Sequence, residues 1–199
     1  MNPEKYDRTN EKLSAIYHGL DIRNRNNILA VGGSGDAAFM FIGNGINTTA
    51  VENDDFQYDF INNRLDYLKK DNYAKFLNMI YGSFDKDYLR DNVKPQNIKR
   101  HLNLLDIIKA DIFNLSFDKK MFDGVYLSNV LTYGAAWKIA YKTLETFSND
   151  FSQGTIFYIS RTLNDKTSIE NMGLYEDEKL TSLAREKDRF WKPQVLIKN

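Results

Sequence analysis

Residues 27–54 read NILAVGGSGDAAFMFIGNGINTTAVEND, and few folds accommodate that order. Residues 28–31 are a short apolar run of the kind that forms a strand buried on both faces. Gly32, Gly33, Ser34 and Gly35 follow as a tight turn. Residues 37–42 then give a compact apolar helix, closed by Gly43 and Gly45. Residues 48–51 predict a second strand, which runs out onto the acidic Glu52. Strand, glycine turn, helix, strand and acid in succession form the front half of a nucleotide-binding α/β unit. Glycines let the backbone approach a ligand closely. The free N–H groups of the helix start, from Asp36 onward, favour negative charge. A carboxylate at position 52, with Asn53 beside it, can accept both hydroxyls of a ribose. The same glycines also suit an ordinary strand-to-helix turn with no ligand.

Composition narrows the function classes. A chain of 199 residues suits one domain with a sizeable core. There is no cysteine, which excludes disulfides, zinc thiolates and cysteine nucleophiles. His18 and His101 are the only histidines, too few for a histidine-rich metal centre, so no metal is expected. The formal net charge is zero, which argues against nucleic acid as the main partner. No apolar run is long enough for a membrane span and the N-terminus is polar, so the expected location is cytoplasmic. Oligomeric state is not encoded in any pattern we can read.

Along the chain, residues 2–20 predict a helix, with Asn2 as cap and Pro3 in its first turn. Leu13, Ile16, Tyr17 and Leu20 share its apolar face. Asp54 or Asp55 caps a helix to about residue 70, with Phe56, Phe60, Ile61, Leu65 and Leu68 as the expected buried face. Residues 71–105 exceed what a connection needs and predict a helical insertion. Within it, 73–81 reads as a helix stopped at Gly82, SFDKDYLRDN as a mobile or lid-like piece, and 96–105 as another helix. Such an insertion covers a ligand face or simply decorates the fold. Residues 107–109 predict a strand with Asp111 just beyond it, and 122–127 a strand ending at Ser128 and Asn129. Asp111 is placed to accept from a base amino group, with the Ile112 backbone at a ring nitrogen; a turn-capping aspartate is the other reading. Residues 132–147 predict a helix and 154–160 a strong strand. Residues 175–189 predict a surface helix, and 194–198 a last short edge strand. The whole reads as α/β: a Rossmann-like, doubly wound, mainly parallel sheet in a single domain, with 1–26 an N-terminal helix, 27–70 the glycine turn and acid, 71–105 the insertion and 106–199 the second half of the sheet. In such sheets ligands bind outside the carboxyl ends of the strands.

The order over residues 27–160, with the block ADIFNLSFDKKMFDGVYLSNVL, resembles the class I S-adenosylmethionine-dependent transferases. That resemblance implies S-adenosylmethionine as cofactor, with Gly32–Gly35 under its methionine part, Glu52 on its ribose and Asp111 at its adenine. LAVGGSGDAAFMFI, AVENDDFQYDFINNRLDYL and MIYGSF are similar to the 3-amino-3-carboxypropyl transferase branch that makes betaine-lipid precursors. Here Ala30 stands where most of the wider family carries an acid. The implied activity is methyl transfer to a small-molecule or lipid-like acceptor, or aminocarboxypropyl transfer from the same cofactor. Tyr133, and after it Asp36, are the candidates for taking a proton. Two other readings stay open. One is an NAD-dependent oxidoreductase, since residues 33–38 also satisfy the dinucleotide pattern and Glu52 suits an NAD ribose. The other is a cofactor-binding module without turnover.

Overall fold

The computed structural model describes residues 11–79, 84–131 and 137–199. In chain order, α1 (Leu13–Gly19) leads to β1 (Asn27–Val31), α2 (Asp36–Gly43), β2 (Asn47–Glu52) and α3 (Asp55–Lys69). α4 (Tyr73–Asn78), α5 (Phe84–Tyr88), a π-helical turn (Leu89–Val93) and α6 (Pro95–Arg100) then precede β3 (Leu105–Lys109). β4 (Gly124–Ser128), α7 (Trp137–Ser148), β5 (Ile156–Ile159), α8 (Lys166–Asn171), β6 (Leu174–Glu176), α9 (Glu178–Lys187) and β7 (Gln194–Lys198) follow.

The strands form one sheet in the order β3-β2-β1-β4-β5-β7-β6. β1 pairs in parallel with β2 and β4, and β7 runs antiparallel to both of its neighbours. The apolar runs ILAV and IFYI are central because helices cover both faces. Ile28, Ala30, Tyr126 and Tyr158 enter a core with α1, α2 and α3. Leu29, Val125, Leu127 and Phe157 enter a second core with α7 and α8. This is the expected single-domain, doubly wound α/β sheet, and its order reverses between β1 and β4.

Several expectations need correction. β7 is no edge strand; it lies between β5 and β6, and β6 is the edge. Three residues, Leu174–Glu176, are too short to show a period, so the helix beginning at Glu178 had absorbed them. On α3, Asp54 caps as expected, accepting from the Gln57 N–H at 3.1 Å. Its buried face is Gln57, Ile61, Arg64 and Leu68, while Phe56 is 47% exposed. SFDKDYLRDN is helical in its described residues, with Leu89 buried, as is Val93 just after it. Asn2, Pro3, Gly82 and residues 132–136 lie outside the described residues. No helix among the described residues is long and apolar enough to cross a membrane.

The insertion has a packing role that α2 explains. Every residue of α2 from Asp36 to Ile42 is buried. A helix apolar on all sides needs cover on its outer face as well as a sheet beneath it. α6 and the π-helical turn provide that cover. Contact is so close that a Cβ on Gly43 would sit 2.1 Å from Val93 Cγ1 and 3.1 Å from Ile98. Gly43→Ala is therefore expected to lower stability by about 1 kcal/mol, overpacking outweighing the gain in helix propensity. The urea midpoint checks this; an unchanged or raised midpoint would mean the insertion yields freely.

Candidate functional site

The glycine turn closes on itself: the Gly35 N–H donates to Gly32 O, and the Gly32 N–H to Val51 O, each at 2.8 Å. A Cβ at Gly32 would sit 2.8 Å from Glu52 Cβ, so the backbone must pass bare there. Gly33 is different. Its φ is +49°, and a Cβ built on it meets nothing within 4 Å. Sterics of the fold do not explain that absent side chain beyond its φ; the space above it is open at the carboxyl edge.

Glu52 turns back over this opening. Its Oε2 accepts from the Gly33 N–H at 2.7 Å and its Oε1 from the Asp54 N–H at 2.8 Å. A carboxylate has about four lone-pair positions, so roughly two remain for a ligand. Asn53 is exposed, and its carbonyl accepts from Lys109 Nζ, which also pairs with Asp55 at 2.9 Å. A cation thus stands at the end of β3 beside the acid.

Ser34 and Asp36 face the other way. Ser34 Oγ donates to Asp36 Oδ2 at 2.7 Å, and Arg64 Nη1 reaches Asp36 Oδ1 at 2.7 Å and Ser34 O at 2.6 Å. All three residues are buried. The guanidinium lies against the rings of Phe39 and Phe76, 4.9 and 4.7 Å from their centroids. These side chains brace the turn from beneath. Asp36, expected at the cofactor and as a second proton acceptor, is thus held beneath the turn with its carboxylate paired to Arg64 and Ser34. Its burial with Arg64 could not be seen in a sequence where the two stand far apart.

Asp111 follows β3 and caps the short 3-10 helix Ile112–Asn114, accepting from the Phe113 N–H at 3.0 Å and Asn114 Nδ2 at 2.8 Å. The capping role is therefore real, and a carboxylate half-exposed beside it keeps acceptor capacity. Ile112 is buried in the second core.

Ser128 ends β4 with a φ of +52°, at a break in register with β5, and Asn129 begins the turn after it. Ser128 Oγ donates to Glu11 Oε1 at 2.6 Å. Glu11 also accepts from the hydroxyls of Tyr126 and Ser160. One carboxylate, 1% exposed, thus collects three hydroxyl donors where β4 and β5 end. Glu11 was missed from sequence: it sits in a polar stretch with no period, and its partners lie far along the chain. Nearby, the Tyr158 hydroxyl has no hydrogen-bond partner among the described residues. Burial, reinforced by the Glu11 and Asp188 carboxylates, pushes that phenol well above its ordinary range, so it stays neutral. Tyr133 lies outside the described residues. The structure therefore brings Gly33, Glu52 and the end of β4 to one edge, with Asp111 two strands from β1 and the side chains of Ser34 and Asp36 withdrawn beneath.

No protein-family model matches this sequence, and no curated protein matches it. Solved structures do resemble it. The CcbJ methyltransferase from Streptomyces caelestis superimposes with a TM-score of 0.56 at 11% identity, over 94% of this chain and 88% of that one. The cyclase SpnF gives 0.53 at 10% identity, over 92% and 80%. The glycopeptide N-methyltransferase MtfA, in complex with (S)-adenosyl-L-methionine, gives 0.50 at 14% identity, over 83% of this chain and 61% of that one. This chain therefore spans about three-fifths of that enzyme. At such identities the likeness is one of fold, and a cyclase among methyltransferases shows one fold hosting different chemistry.

Proposed function

We propose that this chain binds S-adenosylmethionine across the carboxyl edge of its sheet and transfers the methyl group to a small-molecule acceptor. The observation that carries the reading is Glu52 folded over Gly33, beside open space, where the strand order reverses. The likeness in fold to methyltransferases, one of them in complex with the cofactor, supports it. Gly33 leaves room for the amino-acid part of the ligand. The remaining lone pairs of Glu52 suit a ribose diol, and Asp111 suits the base. Glu11 holds Ser128 and Ser160 at the mouth, fixing where an acceptor can approach. When bound, the cofactor supplies a methyl group on a cationic sulfur. An acceptor nucleophile takes that carbon as the C–S bond breaks, the electron pair returns to sulfur, S-adenosylhomocysteine leaves and the acceptor gives up a proton. Holding nucleophile and methyl in line and excluding water are the main demands on the chain.

Calorimetric titration with S-adenosylmethionine, S-adenosylhomocysteine, methylthioadenosine and NAD tests this. Tight binding of the first two is expected. Preference for methylthioadenosine would favour aminocarboxypropyl transfer, and binding of NAD alone would overturn the assignment. Gly33→Ala sharpens the test. Its left-handed backbone predicts a stability loss of about 1 kcal/mol, whereas the methyl group protrudes into the open space and should weaken cofactor binding roughly 10-fold or more. Equal affinity for wild type and variant would place the ligand elsewhere.

A further inference from the structure

The far end of the same edge holds a second hollow. β5 ends at Ile159, and the antiparallel β7 begins at Gln194, so residues 160–164 and 188–193 flank the carboxyl edge together. β5 lies two strands from β1, roughly 10 Å at ordinary sheet spacing. Ser160 joins this end to β4, its N–H donating to Ser128 O at 2.9 Å. Two cavities of about 620 and 380 Å³ open here, sharing Thr162, Asn164 and Lys192. Among their described lining residues, Arg161, Arg185, Arg189 and Lys192 are cationic and none is acidic; Arg185 also pairs with Glu176 at 3.5 Å, which leaves Arg189 and Lys192 as the cations on which the site rests. Phe190, 83% exposed, stands edge to face with Trp191 at 5.4 Å.

The loop that presents these groups is firmly built. The buried Asp188 carboxylate accepts from the N–H groups of Lys12, Phe190 and Trp191 at 3.0, 3.1 and 3.3 Å. Thr162 Oγ1 donates to Lys192 O at 2.9 Å. Arg185 donates to Thr162 Oγ1 at 3.2 Å and to Pro193 O at 2.9 Å. Lys192 holds a φ of +49°, which costs a side-chain-bearing residue about 1–2 kcal/mol. A loop this constrained still displays an exposed phenyl ring and a local excess of cations, since its own carboxylate, Asp188, is buried and turned to backbone N–H groups. Such a cluster concentrates anions locally, and the rings offer a face to a planar or apolar body.

We infer that this hollow is the acceptor site, and that the acceptor is a small molecule carrying a phosphate, sulfate or carboxylate on a planar or apolar body. The acceptor role rests on the transferase reading; the anion site rests on its own geometry. With a net charge of zero the chain has no overall positive field, and a local patch of this size suits a small anion better than a nucleic-acid backbone.

Calorimetry on the full chain with 2-naphthyl phosphate, 2-naphthoate and the uncharged 2-naphthol tests the inference. Both anions are expected to bind at least 10-fold more tightly than the naphthol, with the gap narrowing as salt rises. The double variant Arg189→Gln, Lys192→Gln should close that gap while its melting temperature and S-adenosylmethionine affinity stay unchanged. Equal affinity for all three probes, or anion binding untouched by the double variant, overturns the site. A short single-stranded oligonucleotide binding more tightly than naphthyl phosphate overturns it too, in favour of nucleic acid. S-adenosylmethionine titrated in parallel separates the two claims. If it fails to bind while naphthyl phosphate does, the transferase reading and the acceptor role fall and the anion site stands. The converse removes only the anion site.

Discussion

Arg64→Met is expected to cost about 3–5 kcal/mol of folding stability, the largest effect of any single change considered for this molecule. The reason is what remains behind. Asp36 is fully buried, and its Oδ1 loses the partner at 2.7 Å. The carboxylate would keep the Ser34 Oγ donor but lose its cation, cut off from water. Ser34 O loses its Arg64 donor as well, so the damage reaches the glycine turn. Arg64 Nε and Nη2 are buried without hydrogen-bond acceptors among the described residues and lean on the faces of Phe39 and Phe76 instead, so removing the guanidinium relieves some cost on its own side. The double variant Asp36→Asn, Arg64→Met should therefore recover most of the loss, because a neutral pair leaves no stranded charge. Urea unfolding of the four proteins in this cycle gives the coupling directly. A single-variant loss below about 1 kcal/mol would show that water reaches Asp36.

The second large effect concerns binding. Glu52→Ala is expected to weaken S-adenosylmethionine affinity by about 1–3 kcal/mol, roughly 5- to 150-fold, if the carboxylate pairs with ribose hydroxyls. The substitution also removes the acceptor for the Gly33 and Asp54 N–H groups, so a loss of about 1 kcal/mol in stability should accompany it. Glu52→Gln separates the contributions. The amide oxygen can keep one of the two backbone contacts, yet its NH₂ cannot accept from the second donor. Affinity should fall between wild type and alanine. Unchanged affinity in Glu52→Ala, measured calorimetrically alongside a thermal melt, would remove Glu52 from the site.

Much of the fold was legible because it is local. The run from β1 to Glu52 spells out a strand, a turn and a helix within one short stretch, and the structure places each of them there. Asp54 capping α3 and Asp111 capping its turn are likewise contacts over two or three residues. What escaped is long-range and polar. Glu11 draws its donors from β4 and the end of β5, and nothing around it in sequence marks it as buried. An apolar count awards the inner face of α3 to Phe56 and has no place for a charged Arg64; the buried pairing with Asp36 is what puts Arg64 there and leaves Phe56 47% exposed. β6 is too brief to leave a pattern, and its omission put β7 at the wrong place in the sheet.

The layered confinement of α2 bears on how a ligand is received. The helix whose first turn faces the carboxyl edge has sheet on one side and the π-helical turn and α6 on the other, with no solvent face on which to tilt. Its leading backbone donors are thus set in place as the domain folds, and a guest molecule need not organise them on arrival. The half of the edge built on α2 therefore need not rearrange to admit or release a guest.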